Sequence, residues 1–337
     1  MDVVSALGQL GTDDAVRSQV VAACKAFERL PGNRFTTVRD DVTGPIVDAL
    51  HSQVPIARKS LSNGLVVEFP YRSKIARDFV MSSPEIPDHV WEPQTTRLLV
   101  HLAAKARVAV VGGAYFGDQA VLIADAMRGR GTCLAFEPDS EQASMVERNA
   151  QLNDLDNLKV STLGLWSSET TLSFVGEDAY AGTVEADTGF RATTIDASAE
   201  QVDLIMLDLE GGEIHALRGA EKNLAENAPN IVFEVHGSYV DFSGGLHNTE
   251  VVQYLQGFGY QIFAIRDFQS NVDLAGQPIE LVPADTAFVE GPAHGFNVLA
   301  TKDAALADDQ LFAITPDVSP KLLFHRDPKL HHPAAGL

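Results

Sequence analysis

The chain has 337 residues, of which 45% are hydrophobic and 21% charged, and its formal net charge is −21. Such a charge repels nucleic-acid phosphates and no local basic cluster offsets it, so nucleic acid is not an expected partner. No apolar run reaches the ~20 residues of a membrane helix, no signal-peptide pattern is present, and Cys24 and Cys133 lack zinc spacing. We therefore expect a globular cytoplasmic protein with buried thiols and no membrane partner.

Residues 1–90 predict a helix and a β-hairpin, which together form an N-terminal extension. Apolar residues recur at helical spacing over residues 13–30, and a Pro-Gly pair ends that pattern. Asn63-Gly64 separates two short apolar runs, 56–61 and 65–69, and Asn-Gly suits the tight turn of a hairpin.

Residues 91–302 alternate between strand and helix signals. This alternation predicts an α/β domain with a doubly wound, mostly parallel sheet of seven strands, of the Rossmann-like kind. A stretch at 164–200 carries one short strand signal and no convincing helix, and residues 303–337 are expected to be a loosely ordered tail. The predicted strands are 107–111, 132–136, 158–162, 202–207, 231–235, 260–265 and 296–301.

A turn of small residues follows the first predicted strand. Ligands of open α/β sheets bind beyond the carboxyl ends of the strands, where the strand order reverses. Small residues allow a sharp turn and close approach of the backbone to a ligand, just before the next helix begins. An ordinary tight turn is the alternative interpretation. The segment reads Gly112-Gly113-Ala114-Tyr115-Phe116-Gly117-Asp118.

The second predicted strand ends in an acid, Glu137, which follows Gly112 by 25 positions. This is close to the ~20-residue offset of an acid that holds ribose hydroxyls, although an acid at a helix start is also stabilised by the helix dipole. Turn and acid together predict an adenosine-containing cofactor. The dinucleotide fingerprint requires glycine where Ala114 stands, because pyrophosphate must touch bare backbone. S-adenosylmethionine lacks pyrophosphate and carries a cation, so it is favoured over NAD.

Two further groups of polar residues follow the fourth and fifth predicted strands. Asp208, Glu210 and Glu213 fall within six residues. Glu213 suits a helix first turn, and Asp208 is either an N-cap or turn residue or a functional acid. Glu234 and His236 alternate along a strand and therefore point the same way.

His236 is the candidate base for a hydroxyl acceptor, with a carboxylate to orient it. A strand-end histidine without a catalytic role is the alternative. Asp208, Glu234 and His236 could also hold a divalent cation, but a histidine ligand is atypical of magnesium, so a metal is not favoured.

Residues 107–265 resemble the FkbM-type methyltransferases. This family comprises class I S-adenosylmethionine enzymes that mostly methylate hydroxyls, often on sugars or polyketide-derived products. The string Asp-x-Glu-Gly-x-Glu followed by Leu-Arg-Gly-Ala is the most specific part of the match. The matching segments are VVGGAYFGD (110–118), AFEPDSEQASMVERNAQLN (135–153), TTIDA (193–197), DLIMLDLEGGEIHALRGA (203–220) and PNIVFEVH (229–236).

The resemblance implies a role for each matched position. The turn would line the methionine end of the cofactor, Glu137 would hold the ribose, and residues 164–166 would lie near the adenine. The family commonly has an acid in the first strand where this chain has Val111, and Asp118 is the candidate substitute. The predicted cofactor-binding residues are Gly112, Gly113, Ala114, Gly117, Asp118, Glu137, Pro138, Gly164, Leu165, Trp166 and Asp208. The predicted catalytic residues are Asp208 and Glu210, by the transferred methyl group, and His236 opposite them.

The predicted function is thus a methyltransferase that acts on a hydroxyl of a saccharide or another small natural product, with a homodimer as an open possibility. Two alternatives remain. One is an NAD-dependent oxidoreductase on a related sheet, and the other is a cofactor-binding protein without catalysis.

Overall fold

The computed structural model describes residues 2–28, 30, 38–72, 74–81, 92–175, 182–268, 276–289 and 295–322. The chain divides into two compact units. One contains Met1–Pro93 with Phe268–Ala275 and Leu322–Leu337, and the other contains Gln94–Asp267 and Gly276–Lys321. Among the described residues, no helix combines the length and the apolar character that a membrane crossing requires.

The N-terminal unit contains the predicted hairpin and more helices than the single one expected. Strand β1 pairs antiparallel with β2, and Gly64 in the connecting turn has φ +90°, so the predicted hairpin is confirmed. Cys24 is buried in the small core of this unit. A polar cavity of ≈ 560 Å³ lies beside the end of the third helix. The elements are α1 (Val3–Leu10), α2 (Asp14–Glu28), a π-helical turn (Arg39–Thr43), α3 (Gly44–His51), β1 (Ile56–Ser60), β2 (Val66–Pro70) and α4 (Lys74–Met81).

The second unit begins with a helix and continues with alternating strands and helices. Its helices are α5 (Pro93–Ala103), α6 (Asp118–Ala126), α7 (Ser140–Leu152), α8 (Ile195–Ser198), α9 (Glu213–Arg218), α10 (Glu221–Glu226) and α11 (Glu250–Gly257), with 3-10 turns at Leu246–Asn248 and Ala304–Asp308. The strands from here to the end of the described chain are β3 (Val108–Gly112), β4 (Thr132–Phe136), β5 (Leu158–Ser161), β6 (Gly164–Leu165), β7 (Thr170–Val175), β8 (Gly182–Glu185), β9 (Phe190–Thr193), β10 (Leu204–Leu207), β11 (Asn230–Val235), β12 (Gln261–Ile265), β13 (Asp267–Phe268), β14 (Ile279–Pro283), β15 (Phe296–Thr301), β16 (Phe312–Ile314) and β17 (Lys321–Leu322).

The main sheet has the strand order β16-β14-β12-β15-β11-β10-β3-β4-β5. It is parallel from β5 to β11, and β15 runs antiparallel to both of its neighbours. The chain leaves β3 towards β4 and β5 and later returns to place β10 on the other side of β3. The strand order therefore reverses between β3 and β10, which is where ligands of such sheets bind.

All seven predicted strands lie in this sheet, but the described part of the sheet has nine strands. The additional strands are β14 and β16. Residues 312–314 belong to β16, so the prediction of a loose tail from residue 303 is wrong for this part of the chain, while residues 323–337 lie outside the described ones. A run of three residues is too short to show strand periodicity, which explains why the sequence did not reveal it.

The interior strands of the main sheet are deeply buried. All four residues of β10 are buried, and Cys133 on β4 is fully inaccessible. Each buried Leu, Ile or Val side chain of such strands contributes roughly 1.5–3 kcal/mol to folding. The helix-poor stretch after β5 forms a separate four-stranded sheet with the order β6-β9-β7-β8.

Candidate functional site

Three neighbouring strands of the main sheet, β4, β3 and β10, end level with one another, and β11 beside them continues two residues further. Gly112 at the end of β3 pairs in register with Phe136 of β4 and with Leu207 of β10, and Leu207 pairs with Phe233 of β11. The residue after Leu207, Asp208, donates its backbone N–H to the Gly112 carbonyl at 3.0 Å. The residues that follow these strands are therefore brought together at one edge of the sheet.

The turn after β3 packs directly on the backbone after β10. Gly113 has φ +74°, and a Cβ there would lie 1.8 Å from the carbonyl oxygen of Asp208. Gly117, with φ +89°, precedes helix α6 as its N-cap. On the other side, the buried Asn149 of α7 donates from Nδ2 to the Phe116 carbonyl at 2.8 Å. The turn is thus held from two sides, and its glycines are required by backbone geometry.

Glu137 meets this turn directly. Its Oε2 accepts the backbone N–H of Tyr115 at 2.8 Å, and its Oε1 accepts that of Asp139 at 3.0 Å. The side chain is only 5% exposed, and burial raises the pKa of its carboxyl to about 7, against the opposing effect of the two backbone donors. The small-residue turn and the acid therefore converge on one edge of the sheet, as their spacing predicts. Pro138 follows Glu137 directly and Asp118 begins helix α6, and both are partly exposed.

The loop after β10 is held by a buried carboxylate that the sequence suggested was only a helix-start acid. Glu213 is 4% exposed; its Oε1 accepts the N–H of Leu209 at 2.7 Å, and its Oε2 accepts that of Gly211 at 3.1 Å. Burial raises the pKa of this carboxyl to about 7. Between the two bonded residues, Glu210 adopts φ +49°, in the left-handed region.

Three partly buried carboxylates converge beside this loop. Asp208, Glu210 and Glu234 each offer an oxygen within 4.8 Å of the others. Burial raises the pKa of Glu210. Such a set of oxygens could hold a divalent cation or the positive end of an organic ligand. Glu210 takes the place that the sequence-based metal hypothesis gave to His236.

Tyr239 is a member of this site that the sequence did not indicate. Its hydroxyl donates to Glu234 Oε2 at 2.7 Å, and its ring approaches Gly211, where a Cβ would lie 3.2 Å from the Tyr239 Cβ. Burial, and then the charge of Glu234, raise the pKa of the phenol far above its usual value, so the hydroxyl remains a donor. A tyrosine in a loop carries no periodicity that would mark it.

His236 lies on the same side of β11 as Glu234, as strand alternation predicts. Both side chains approach Gly295, where a Cβ would lie 2.2 Å from Glu234 Oε1 and 3.0 Å from His236 Cδ2. However, His236 Nδ1 accepts the backbone N–H of Ser238 at 3.0 Å. The neutral ring must then carry its proton on Nε2, which makes Nε2 a donor. This geometry does not support His236 as the general base.

Leu165 and Trp166 pack their side chains into hydrophobic cores. Leu165 is 3% exposed, and the Trp166 ring stacks on His215 with a centroid distance of 3.9 Å. The Trp166 indole N–H donates to Glu185 at 2.8 Å. A Cβ at Gly164 would lie 2.7 Å from the Phe190 ring. Any ligand contact from this segment would therefore come mainly from backbone atoms.

The main sheet is of the doubly wound, Rossmann-like kind that is expected of a class I methyltransferase. Its strand order reverses beside β3, a glycine turn follows its first strand, an acid follows its second, and β15 runs antiparallel between β12 and β11. Residues 112–262 match the family model described as the methyltransferase FkbM domain. This segment, 151 of the 337 residues, is therefore similar to the FkbM methyltransferase domain.

Solved structures of methyltransferases overlap with the chain at low identity. They include an FkbM methyltransferase from Methylobacillus flagellatus KT (15% identity, 58% of this chain and 44% of that chain, TM-score 0.38). Two others are a precorrin-6y C5,15-methyltransferase from Geobacter metallireducens GS-15 (12%, 69% and 100%, 0.36) and an O-methyltransferase from Bacillus cereus with S-adenosylhomocysteine (14%, 62% and 80%, 0.35). The chain thus spans less than half of the M. flagellatus protein, and the family match alone carries the assignment. No curated protein matches the chain.

Proposed function

We propose that the chain is an S-adenosylmethionine-dependent O-methyltransferase whose acceptor is a hydroxyl of a saccharide or another small natural product. The observation that carries the proposal is the convergence of three features at one edge of the sheet. These are the small-residue turn, the buried Glu137 bonded to it, and the three carboxylates of Asp208, Glu210 and Glu234.

The residues present fit this cofactor chemically. Each oxygen of Glu137 accepts one backbone N–H and has capacity for a second donor, which a ribose hydroxyl would supply. The carboxylate cluster suits the positive sulfonium and ammonium groups. When bound, the cofactor supplies an electrophilic methyl group. The residues proposed to hold it are Gly112, Gly113, Ala114, Gly117, Asp118, Glu137, Pro138, Gly164, Leu165, Trp166 and Asp208.

The acceptor hydroxyl must lose its proton as its oxygen attacks. Glu210 is suited to take that proton, since burial raises its pKa towards the operating range of a general base. His236 would instead donate from Nε2 to the acceptor oxygen and orient it. Asp208 lies beside the turn through its backbone bond to Gly112 and would face the positive charge of the cofactor. The proposal assigns no metal to these carboxylates.

The NAD-dependent alternative is less well supported by the same site. A pyrophosphate would have to approach the turn past the Cβ of the buried Ala114, next to a cluster of three carboxylates. A binding protein without catalysis would share the cofactor site and differ only in the outcome of an assay for methyl transfer.

The test is a calorimetric titration with S-adenosylhomocysteine and with NAD, followed by transfer of a labelled methyl group from S-adenosylmethionine to a panel of saccharides and small hydroxylated natural products. We expect binding of S-adenosylhomocysteine only, and loss of labelling by roughly 10²–10⁴-fold in Glu210→Gln. The exposed Asp156→Asn serves as the carboxylate-to-amide control. Binding of NAD alone would refute the proposal, and cofactor binding without labelling would favour the non-catalytic alternative. The same assay in the presence of a chelator tests whether methyl transfer requires a divalent cation.

A further inference from the structure

The loop that carries Asp208 and Glu210 has an unfavourable backbone. Glu210 at φ +49° is a non-glycine residue in the left-handed region, and Gly211 follows at φ +103°. A non-glycine residue there costs roughly 1–2 kcal/mol. Such a conformation persists only where its surroundings determine it.

The carboxylate of Glu213 supplies that constraint. It bonds the N–H groups of Leu209 and Gly211, the two residues that flank Glu210, at 2.7 and 3.1 Å. Tyr239 covers Gly211 from the other side, and the carbonyl of Glu210 lies 2.9 Å from the Cβ position of Gly182. The loop is therefore enclosed, and the Glu213 carboxylate holds two of its backbone N–H groups.

We propose that Glu213 is a positioning residue of the methyl-transfer site, whose carboxylate bridges the Leu209 and Gly211 amides and so directs the Asp208 and Glu210 side chains towards the cofactor and the acceptor. This inference rests on the proposed function for the identity of the ligand. That Glu213 holds the loop in place depends only on its two hydrogen bonds to the Leu209 and Gly211 amides.

The competing explanation is a charge that merely stabilises the start of helix α9. Any first-turn acid would do this, and exposed acids such as Glu221 of α10 occupy the same place without bonding a neighbouring loop. Glu213 differs because it is buried and bonds two amides that lie before its own helix. The two explanations diverge for a variant that keeps the charge but shortens the side chain.

The experiment compares Glu213→Gln and Glu213→Asp with the wild-type chain, and uses Glu221→Gln as the matched control. The dissociation constant for S-adenosylhomocysteine is measured by calorimetry, and amide exchange of the 208–213 segment is measured without ligand. A glutamine can accept only one of the two N–H groups, and an aspartate is shorter by one methylene. We expect both Glu213 variants to bind roughly 10- to 100-fold more weakly and to exchange faster over this segment, with Glu221→Gln unchanged.

Wild-type affinity and wild-type exchange in Glu213→Asp would overturn the proposal in favour of the helix-charge explanation. Lower thermal stability of Glu213→Gln, with an unchanged dissociation constant for the folded protein, would overturn it as well. If the wild-type chain does not bind S-adenosylhomocysteine, the proposed function fails. The exchange comparison still decides in that case whether Glu213 braces the loop.

Discussion

Replacing Glu137 by glutamine tests the cofactor site at the group on which it most depends. The carboxylate is buried against the turn, and its two oxygens accept the N–H groups of Tyr115 and Asp139. Ribose hydroxyls would add donors to an ionised carboxylate. A hydrogen bond to a charged group contributes about 1.5–3 kcal/mol, so losing one should weaken binding of S-adenosylhomocysteine roughly 10- to 150-fold.

The same residue predicts how binding depends on pH. Burial holds the pKa of the free carboxyl at about 7. Hydroxyl donors favour the ionised form, so binding lowers this pKa and releases a proton where the free protein is protonated. Below pH 7 the affinity of the wild-type protein should therefore increase with pH, by up to about tenfold per unit, and above pH 7 it should level off.

Calorimetry in two buffers of different ionisation enthalpy measures the released proton directly. Glu213 has a pKa of about 7 in the same region of the sheet, so the informative quantity is the difference between the wild-type protein and Glu137→Gln. Glu141→Gln, an exposed acid in the first turn of α7, is the control. Equal affinity and equal proton release in the wild-type protein and Glu137→Gln would refute the reasoning.

Three further predictions concern the glycine turn, the buried acid and the tyrosine. Gly113→Ala places a Cβ against the Asp208 carbonyl, whereas the control Gly129→Ala changes a glycine that also has a positive φ but has open space around it. In urea unfolding we expect Gly129→Ala to lower the free energy of unfolding by about 1–2 kcal/mol and Gly113→Ala to lower it by more. Equal losses would contradict the packing argument. Between pH 4.5 and about 7, Glu213 of the ligand-free folded protein keeps a proton that the unfolded chain has already released. Its contribution to the free energy of unfolding therefore falls by up to about 3 kcal/mol as the pH rises across that range. A wild-type-like pH profile of stability in Glu213→Gln would contradict this assignment. Tyr239→Phe removes a partly buried hydrogen bond to Glu234 and should lower the free energy of unfolding by about 1–3 kcal/mol. Tyr254→Phe, whose partner Glu221 is exposed, should change it by less than about 0.5 kcal/mol, and a smaller loss in Tyr239→Phe than in Tyr254→Phe would contradict the difference in burial.

Long, regular parts of the fold could be predicted from the sequence because burial imposes a repeating pattern on it. Strands β3 and β10 lie inside the sheet and are apolar on both faces, so each appears as a continuous hydrophobic run. Strand β16 has three residues in a segment rich in Asp and Pro, and its pairing with β14 depends on a distant partner. No local pattern encodes such a contact.

For the candidate site, the sequence predicts which residues lie together, but only the folded structure shows their hydrogen bonds. Strand ends indicated that Gly112, Glu137 and Asp208 would meet at one edge, since the carboxyl ends of parallel strands align. Spacing does not show which atoms bond. The donor from Ser238 to His236 Nδ1 sets the tautomer of that ring, and the bond from Tyr239 to Glu234 links residues of no recognisable motif. Both depend on the path of the loop after β11.

The carboxylate cluster explains why this edge of the sheet should bind a cation rather than an anion. At separations up to 4.8 Å, two charged carboxylates repel by about 3 kcal/mol or more at an effective dielectric constant of 20. Protonation, as the raised pKa of Glu210 indicates, and the hydrogen bond from Tyr239 each relieve part of this repulsion. A bound cation would relieve more of it, and that relief would then appear as binding free energy. A phosphate at the same place would add to the repulsion, so the electrostatics of the site favour a sulfonium cofactor over a dinucleotide.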